Sequence, residues 1–239
     1  MKLSQLVAAL PSLDIPPQSD PDITLLTADS RKVIPGALFV AYPGVAVDGH
    51  NFIADAVHSG AVVVVGEREI AEVNQHSAHS AQQYLQVRDG REALAWLSAA
   101  WYGFPARKLL MIGVTGTDGK TTTSNLIHAI LTTAGLKAGL ISTVNAMIGE
   151  RVLDTGLHTT TPDANDVQRY LAEMVAAGMT HCVLEATSHG LAQHRVTGCE
   201  FDIGVVTNIT HEHLDQHGSY ENYRAAKASA CTRPAKNGW

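Results

Sequence analysis

Cysteine is scarce in these 239 residues: the three thiols, Cys182, Cys199 and Cys231, are odd in number and show no C-x-x-C spacing. Neither a disulfide framework nor a cysteine zinc site is indicated. Long apolar runs are missing too. The longest purely aliphatic stretch, Ala61 to Val65, is far short of the roughly 20 residues a membrane span needs. The N-terminal MKLSQLVAALPSLDIPP is too broken for a secretion signal. Basic charge is in deficit, with 17 Lys and Arg against 23 Asp and Glu and a net charge of −6. No basic cluster relieves that deficit, which argues against nucleic acid or an anionic lipid surface as a partner. Internal repeats, low-complexity tracts and heptads are absent, so a solenoid or coiled coil has no support. These absences leave a globular, cytoplasmic protein that touches neither membrane nor nucleic acid.

An apolar content of 45% is enough for a real core, and the length is comfortable for two domains. Gly103 and Pro105 interrupt a helical pattern that begins at the candidate N-cap Asp89, which places a boundary near Pro105 and predicts domains 1–105 and 106–239. The first reads as a small α/β domain, with strands at GALFVAY, AVVVV and YLQV and helices at NFIADAVHSG and REALAWLSAAWY. In the second, strands at LLMIGV, KAGLIS, THCVLE and FDIGVVT alternate with helices at TTSNLIHAILTTAG and ANDVQRYLAEMVAAG. That rhythm predicts a parallel sheet with helices on its faces.

Ligands of such sheets bind beyond the carboxyl ends of the strands. The segment VTGTDGKTTT, Val114 to Thr123, lies in that place. Gly116 and Gly119 would let the backbone fold around an anion, and the amides at the helix start would face phosphate oxygens. Lys120 would add a full positive charge, and Thr121 or Thr122 could reach a Mg²⁺ ion. The strict phosphate-loop pattern asks for glycine where Val114 stands, so the segment alone fits a polar strand-to-helix turn as well. Glu185 follows the strand HCVL, where a carboxylate is either a hard oxygen ligand for Mg²⁺ or a solvated strand-end acid. His211, His213, Asp215 and His217 spell H-x-H-x-D-x-H, which permits a rival reading as a zinc hydrolase using His211, His213 and Asp215. Gln216 separates an aspartate and histidine that such a site wants adjacent.

Four strings, GVTGTDGKTTT, HTTTPDA, LEATSHGLAQHR and TNITHEHLDQHG followed by YRAAK, stand in the order seen in Mur ligases. The N-terminal segment ADSRKVIPGALFVAYPGVAVDGHNFIADAVHSGA is similar to the uridine-binding domain of the MurE type, as is the form of NITHEHLDQHG. The resemblance runs from about Ala28 to about Lys227. It implies an α/β protein with a small N-terminal uridine-binding domain and an incomplete phosphate-loop-type ATPase domain. It also implies an ATP- and Mg²⁺-dependent ligase that adds the third amino acid to UDP-MurNAc-L-Ala-D-Glu through an acyl phosphate. On this resemblance Gly116, Thr117, Asp118, Gly119, Lys120, Thr121 and Thr122 hold ATP. Thr121, Glu185, His213 and a carbamylated Lys227 bind metal, with Lys120, Glu185, His213 and Lys227 catalytic. Ala28, Ser30, Val45, Ala46 and Val47 hold the uridine end of the substrate. Thr159, Thr160, Thr161, Thr187, Gln193 and Arg195 hold the muramoyl peptide, with Arg195 suited to a carboxylate or phosphate.

The sequence also departs from the family. Asp118 stands where asparagine is usual and puts a carboxylate beside the loop. Glu212 replaces an aspartate and Thr187 a serine. The family's C-terminal domain, which aligns the incoming amine, has no counterpart. Two readings stay open: a ligase represented by a naturally or artificially shortened chain, its missing domain supplied by a longer reading frame or by a separate chain, or a non-catalytic module that binds UDP-MurNAc-peptide or nucleotide.

Overall fold

The computed structural model describes residues 1–13, 16–45, 47–69, 71–73, 83–143, 145–154, 161–210, 223–225 and 227–228. The chain divides into two compact units, Met1–Trp101 and Tyr102–Trp239.

The first unit is built on four parallel strands in sequential order, β1 (Leu25–Thr27), β2 (Ala37–Val40), β3 (Ala61–Gly66) and β4 (Tyr84–Gln86). Alternation in β2 and β3 sends side chains both ways, and both faces are covered. Phe39 and Val64 pack with Ile53 and Ala56 of the short helix α2 (Ile53–His58). The opposite face meets α3 (Gly90–Trp101), which itself packs against α1 (Leu3–Val7). Burial on both faces is why β2 and β3 read as continuous apolar runs. Asp89 caps α3 by accepting from the Glu92 amide at 2.8 Å, satisfying one of the donors a helix start leaves orphaned. The strand β1 is absent from the predicted set because its three residues carry no readable period.

The second unit holds a six-stranded sheet in the order β10, β5, β9, β6, β7, β8. Four strands are parallel, at the predicted places: β5 (Leu110–Thr115), β6 (Ala138–Ile141), β9 (His181–Glu185) and β10 (Ile203–Val206). The sheet also carries two strands that the sequence pattern did not predict. Asn145–Ile148 and Arg151–Asp154, β7 and β8, form an antiparallel hairpin that extends the β6 edge. A two-residue turn joins them, with Gly149 at φ +61. Glycine takes that backbone without a Cβ penalty, which is what a tight hairpin needs.

Helices cover both faces of this sheet. On one, α5 (Ala164–Ala176) buries Val167, Leu171 and Met174 against Met111, Ile141 and Leu184. On the other, Ile127 and Leu131 of α4 (Lys120–Thr133) pack on Ile112, Val114, Leu140 and Val183. The register pairs Val114 with Glu185 and Thr115 with Val206, so the segments after β5, β9 and β10 all leave by one edge of the sheet. Among the described residues no helix is long and apolar enough to cross a membrane.

Candidate functional site

Apolar residues carry β5 through the core to Thr115, and the backbone then turns sharply. Gly116 sits at φ +152 and Gly119 at φ +77, and Gly119 is the N-cap residue of α4. The first helical bond runs from the Thr123 amide to the Gly119 carbonyl. The Lys120, Thr121 and Thr122 amides therefore have no carbonyl in the helix to bond, and a helix start of this kind attracts anions. The Lys120 ammonium donates to the Gly116 and Thr117 carbonyls at 3.0 and 2.8 Å, and among the described residues it pairs with no carboxylate. It is a cation folded back over the loop that precedes its helix. Asp118, the residue that departs from the family, turns its side chain to solvent.

Glu185 ends β9 and is only 1% exposed, so it is not the solvated strand-end acid of the alternative reading. The Thr121 hydroxyl reaches both of its carboxylate oxygens at 3.1 Å, and the Thr143 amide donates to Oε2 at 3.2 Å. No Lys, Arg or His among the described residues pairs with it. A buried carboxylate held by a hydroxyl and an amide, beside an anion-attracting helix start, suits a hard divalent cation. Thr122 is exposed, so Thr121 is the hydroxyl brought to the carboxylate. Lys227 belongs to a helical stretch and is 2% exposed, with its ammonium 4.7 Å from the centre of the Tyr223 ring. The Tyr223 hydroxyl lies 2.8 Å from the Thr117 hydroxyl, tying that helix to the loop.

A second cluster forms around α6 (Ser188–Ala192). Thr187 caps this helix through the Gly190 amide at 3.0 Å, and its hydroxyl meets that of Thr161 at 3.1 Å. Arg195 donates to the Thr161 carbonyl at 2.7 Å and, through Nε and Nη2, to Gln193 Oε1 at 3.2 and 2.8 Å. Thr161, Thr187, Gln193 and Arg195 are thus one hydrogen-bonded group. Asp163 pairs with the Arg195 guanidinium at 3.9 Å, the long end of ion-pair range.

In the first unit, Ala28 and Ser30 follow β1, while Val45 and Val47 follow β2. Because these strands are parallel neighbours, both segments leave by the same edge. Val45 and Val47 are 89% and 54% exposed, an apolar pair held out on a tight loop. The loop closes through Gly44 N to Val47 O at 3.0 Å and a bridge between Pro43 and Asp48. Arg91 lies over the Tyr42 ring and donates to the Pro43 carbonyl at 2.8 Å. Asp48 accepts from the His50 amide at 2.9 Å, meets the His50 ring at 2.6 Å, and accepts from Arg68 at 2.6 Å. Desolvation raises its carboxyl pKa, but the bonds from the His50 amide and ring and from Arg68 outweigh that and hold it below the usual value.

Ala46, Thr159, Thr160 and His213 lie outside the described residues, as do His211, Asp215 and His217 of the zinc reading. Among the described residues no group of three or more His, Cys, Asp or Glu could hold a metal ion. Sequence reasoning missed Thr143, Thr207, Asn208 and Tyr223, which contact the loop or Glu185. Asn208 lies inside the TNIT string, but its reach back to residue 117 has no local signature.

Two family models match the sequence: "Mur ligase family, catalytic domain" over residues 22–102 and "Mur ligase middle domain" over residues 114–238. The UDP-N-acetylmuramoyl-L-alanyl-D-glutamate--2,6-diaminopimelate ligase of Cytophaga hutchinsonii is 41% identical over 227 residues, covering 95% of this chain and 46% of that one. The UDP-N-acetylmuramyl-tripeptide synthetase of Deinococcus radiodurans is 45% identical over 236 residues, covering 98% and 47%. The chain thus spans under half the length of these relatives. A solved UDP-N-acetylmuramoyl-L-alanyl-D-glutamate--2,6-diaminopimelate ligase matches with a TM-score of 0.75 at 29% identity, over 95% of this chain and 44% of that one. MurF from Acinetobacter baumannii matches with a TM-score of 0.60 at 26% identity, over 98% and 47%.

Proposed function

Because the chain belongs to the Mur ligase family, we propose that it carries the uridine-binding and ATP-binding parts of a MurE-type ligase. Such an enzyme joins a third amino acid to UDP-MurNAc-L-Ala-D-Glu at the expense of ATP. The observation that carries the reading is the juxtaposition at the sheet edge of Lys120, free helix-start amides, and a buried Glu185 bridged by Thr121.

Each residue then has a physical task. Lys120 and the amides of the first turn of α4 grip phosphate oxygens and draw off charge that would otherwise repel an incoming carboxylate. Glu185 and the Thr121 hydroxyl supply oxygen ligands suited to Mg²⁺, and burial keeps water from competing with them. Lys227 is buried beside Tyr223, whose hydroxyl meets the loop at Thr117, and carbamylation would make it a further oxygen ligand. His213 is proposed as a metal ligand on the sequence motif alone. Arg195, oriented by Gln193 and the Thr161 carbonyl, presents a fork to a carboxylate or phosphate of the muramoyl peptide, with the Thr161 and Thr187 hydroxyls beside it. Thr159 and Thr160 join this set on the motif alone. In the first unit, Ala28, Ser30 and the Val45 to Val47 turn offer backbone groups and an apolar surface for the uracil ring. ATP, when bound, supplies the phosphoryl group that activates the substrate's terminal carboxylate toward an amine.

The test is phosphate release with UDP-MurNAc-L-Ala-D-Glu, ATP and Mg²⁺, run with and without candidate amino acids and with calorimetric titration of each ligand. Release that depends on an amino acid is the expected result for a ligase, with or without a separate chain supplying further surface. Tight sugar-nucleotide binding with no release under any condition would instead make the chain a non-catalytic binding module.

A further inference from the structure

The phosphate loop is shaped from behind by a segment far away in sequence. Thr207 continues the pairing of β10 with β5, its amide donating to the Thr115 carbonyl at 2.9 Å, so residues 207 and 208 lie directly alongside Gly116 and Thr117. From there the Asn208 Oδ1 accepts two loop amides at once, Thr117 N at 3.1 Å and Asp118 N at 2.9 Å. The Asn208 main-chain carbonyl accepts the Thr117 amide as well, at 3.0 Å. The Asp118 carbonyl is taken from the same side, by the Thr207 hydroxyl at 2.6 Å and by Asn208 Nδ2 at 3.3 Å. The Thr210 amide reaches the Thr117 hydroxyl at 3.0 Å.

We propose that Asn208, assisted by Thr207, is a positioning residue for anion capture: it fixes the peptide planes of the loop so that the remaining amides face the ligand. The argument rests on the planarity of the peptide bond. In a trans peptide the carbonyl and the following N–H point in opposite directions. Holding the Asp118 carbonyl toward Thr207 and Asn208 therefore aims the Gly119 amide the other way, to the side on which the helix-start amides and Lys120 lie. Consuming the Thr117 and Asp118 amides costs the loop two donors but leaves the others with a fixed direction. A pre-aimed donor needs no reorganisation when charge arrives. A carboxamide can do this from one position, because it offers an acceptor for the two amides and a donor for the carbonyl. Asn208 touches no ligand in this scheme and acts through the loop.

The proposal rests on the nucleotide-site reading above, so its test has an arm that does not need nucleotide. Asn208→Ala and Thr207→Val would be made in the full chain, with ADP and UDP as probes in calorimetry and amide hydrogen exchange followed by NMR. Asn208→Ala is expected to weaken ADP binding by about tenfold or more, the scale of losing hydrogen bonds that orient a site. UDP binding should stay within about twofold in both variants. Exchange at Asp118, whose amide is held by the Asn208 side chain, should speed up by about tenfold in Asn208→Ala, and less at Thr117, which keeps its bond to the residue-208 main-chain carbonyl, with the strand amides of β5 and β9 unchanged. Thr207→Val keeps the side chain's shape and should weaken ADP alone by a few-fold, which covers the case that Asn208→Ala folds poorly. ADP affinity within twofold of the parent in variants that still bind UDP would overturn the proposal, as would unchanged exchange at Asp118 in Asn208→Ala. Failure of the parent chain itself to bind ADP would overturn the nucleotide reading instead, and the exchange measurement would still decide whether Asn208 holds the loop.

Discussion

A single methyl group at position 116 separates two costs that are usually confounded in phosphate loops. Gly116 and Gly119 both occupy positive φ, at +152 and +77, so alanine is conformationally disfavoured at either site. That cost is about 1–2 kcal/mol. Their surroundings differ. A Cβ at Gly119 meets nothing within 4 Å, whereas a Cβ at Gly116 overlaps the Thr207 hydroxyl and lies 3.1 Å from Thr207 Cβ and 3.2 Å from the Asn208 amide. Overpacking adds typically about 1–3 kcal/mol. Gly119→Ala should therefore destabilise by about 1–2 kcal/mol and Gly116→Ala by about 2–5 kcal/mol. For a unit of this size that corresponds to losses in Tm of about 3–6 °C and about 6–15 °C. The decisive measurement is a double-mutant cycle by urea denaturation. Thr207→Ala removes the overlapping hydroxyl, so Gly116→Ala/Thr207→Ala should be more stable than the sum of the single effects by about 1 kcal/mol or more. Strict additivity, or a Gly116→Ala variant no worse than Gly119→Ala, would refute the close approach of β10 to the loop.

Three further outcomes are expected. Lys120→Ala should weaken ADP binding by about 10–100-fold, since a charge-assisted bond is worth about 1.5–3 kcal/mol, and calorimetry with UDP should show no change. Glu185→Gln keeps the shape of the side chain and an acceptor for the Thr121 hydroxyl or the Thr143 amide, so stability should stay within about 1 kcal/mol; the rise in Tm that Mg²⁺ gives with ADP should disappear, and its persistence would exclude Glu185 as a metal ligand. Asp48 has a folded pKa held low, so its contribution to stability is present above its unfolded value near 3.9 and is lost as pH falls through the folded one. Asp48→Asn should make acid denaturation less steep in that window and should weaken UDP binding at neutral pH by loosening the loop that carries Val45 and Val47.

The elements legible in the sequence were those whose burial leaves a periodic trace. The runs that form β3, β5, β6 and β9, and the periodic faces of α4 and α5, are of that kind, whereas β10 shows as an apolar run although its residues are largely exposed. The hairpin of Asn145–Ile148 and Arg151–Asp154 was not, because each strand is only four residues long and the buried Ala146 and Ile148 of β7 flank an equally apolar Met147, which leaves little alternation to read. The candidate site divides in the same way. Lys120 and Thr121 stand in a local string whose geometry follows from a strand, two glycines and a helix start. The burial of Glu185 is not local: it follows from pairing with β5 and from Thr121, 64 positions earlier. Asn208 and Tyr223 were missed for the same reason, being polar residues whose partners lie 91 and 106 positions back in the chain.

That long reach has a consequence for biosynthesis. The stretch proposed to grip the anion leaves the ribosome some ninety residues before its partners Thr207 and Asn208. Until β10 docks, the Thr117 and Asp118 amides have only water to bond, and closing so long a loop is the slow, entropically costly part of assembly. Nucleotide capture should thus begin only once residue 208 has emerged, as a single event, and a nascent chain arrested at residue 200 should leave ADP unbound.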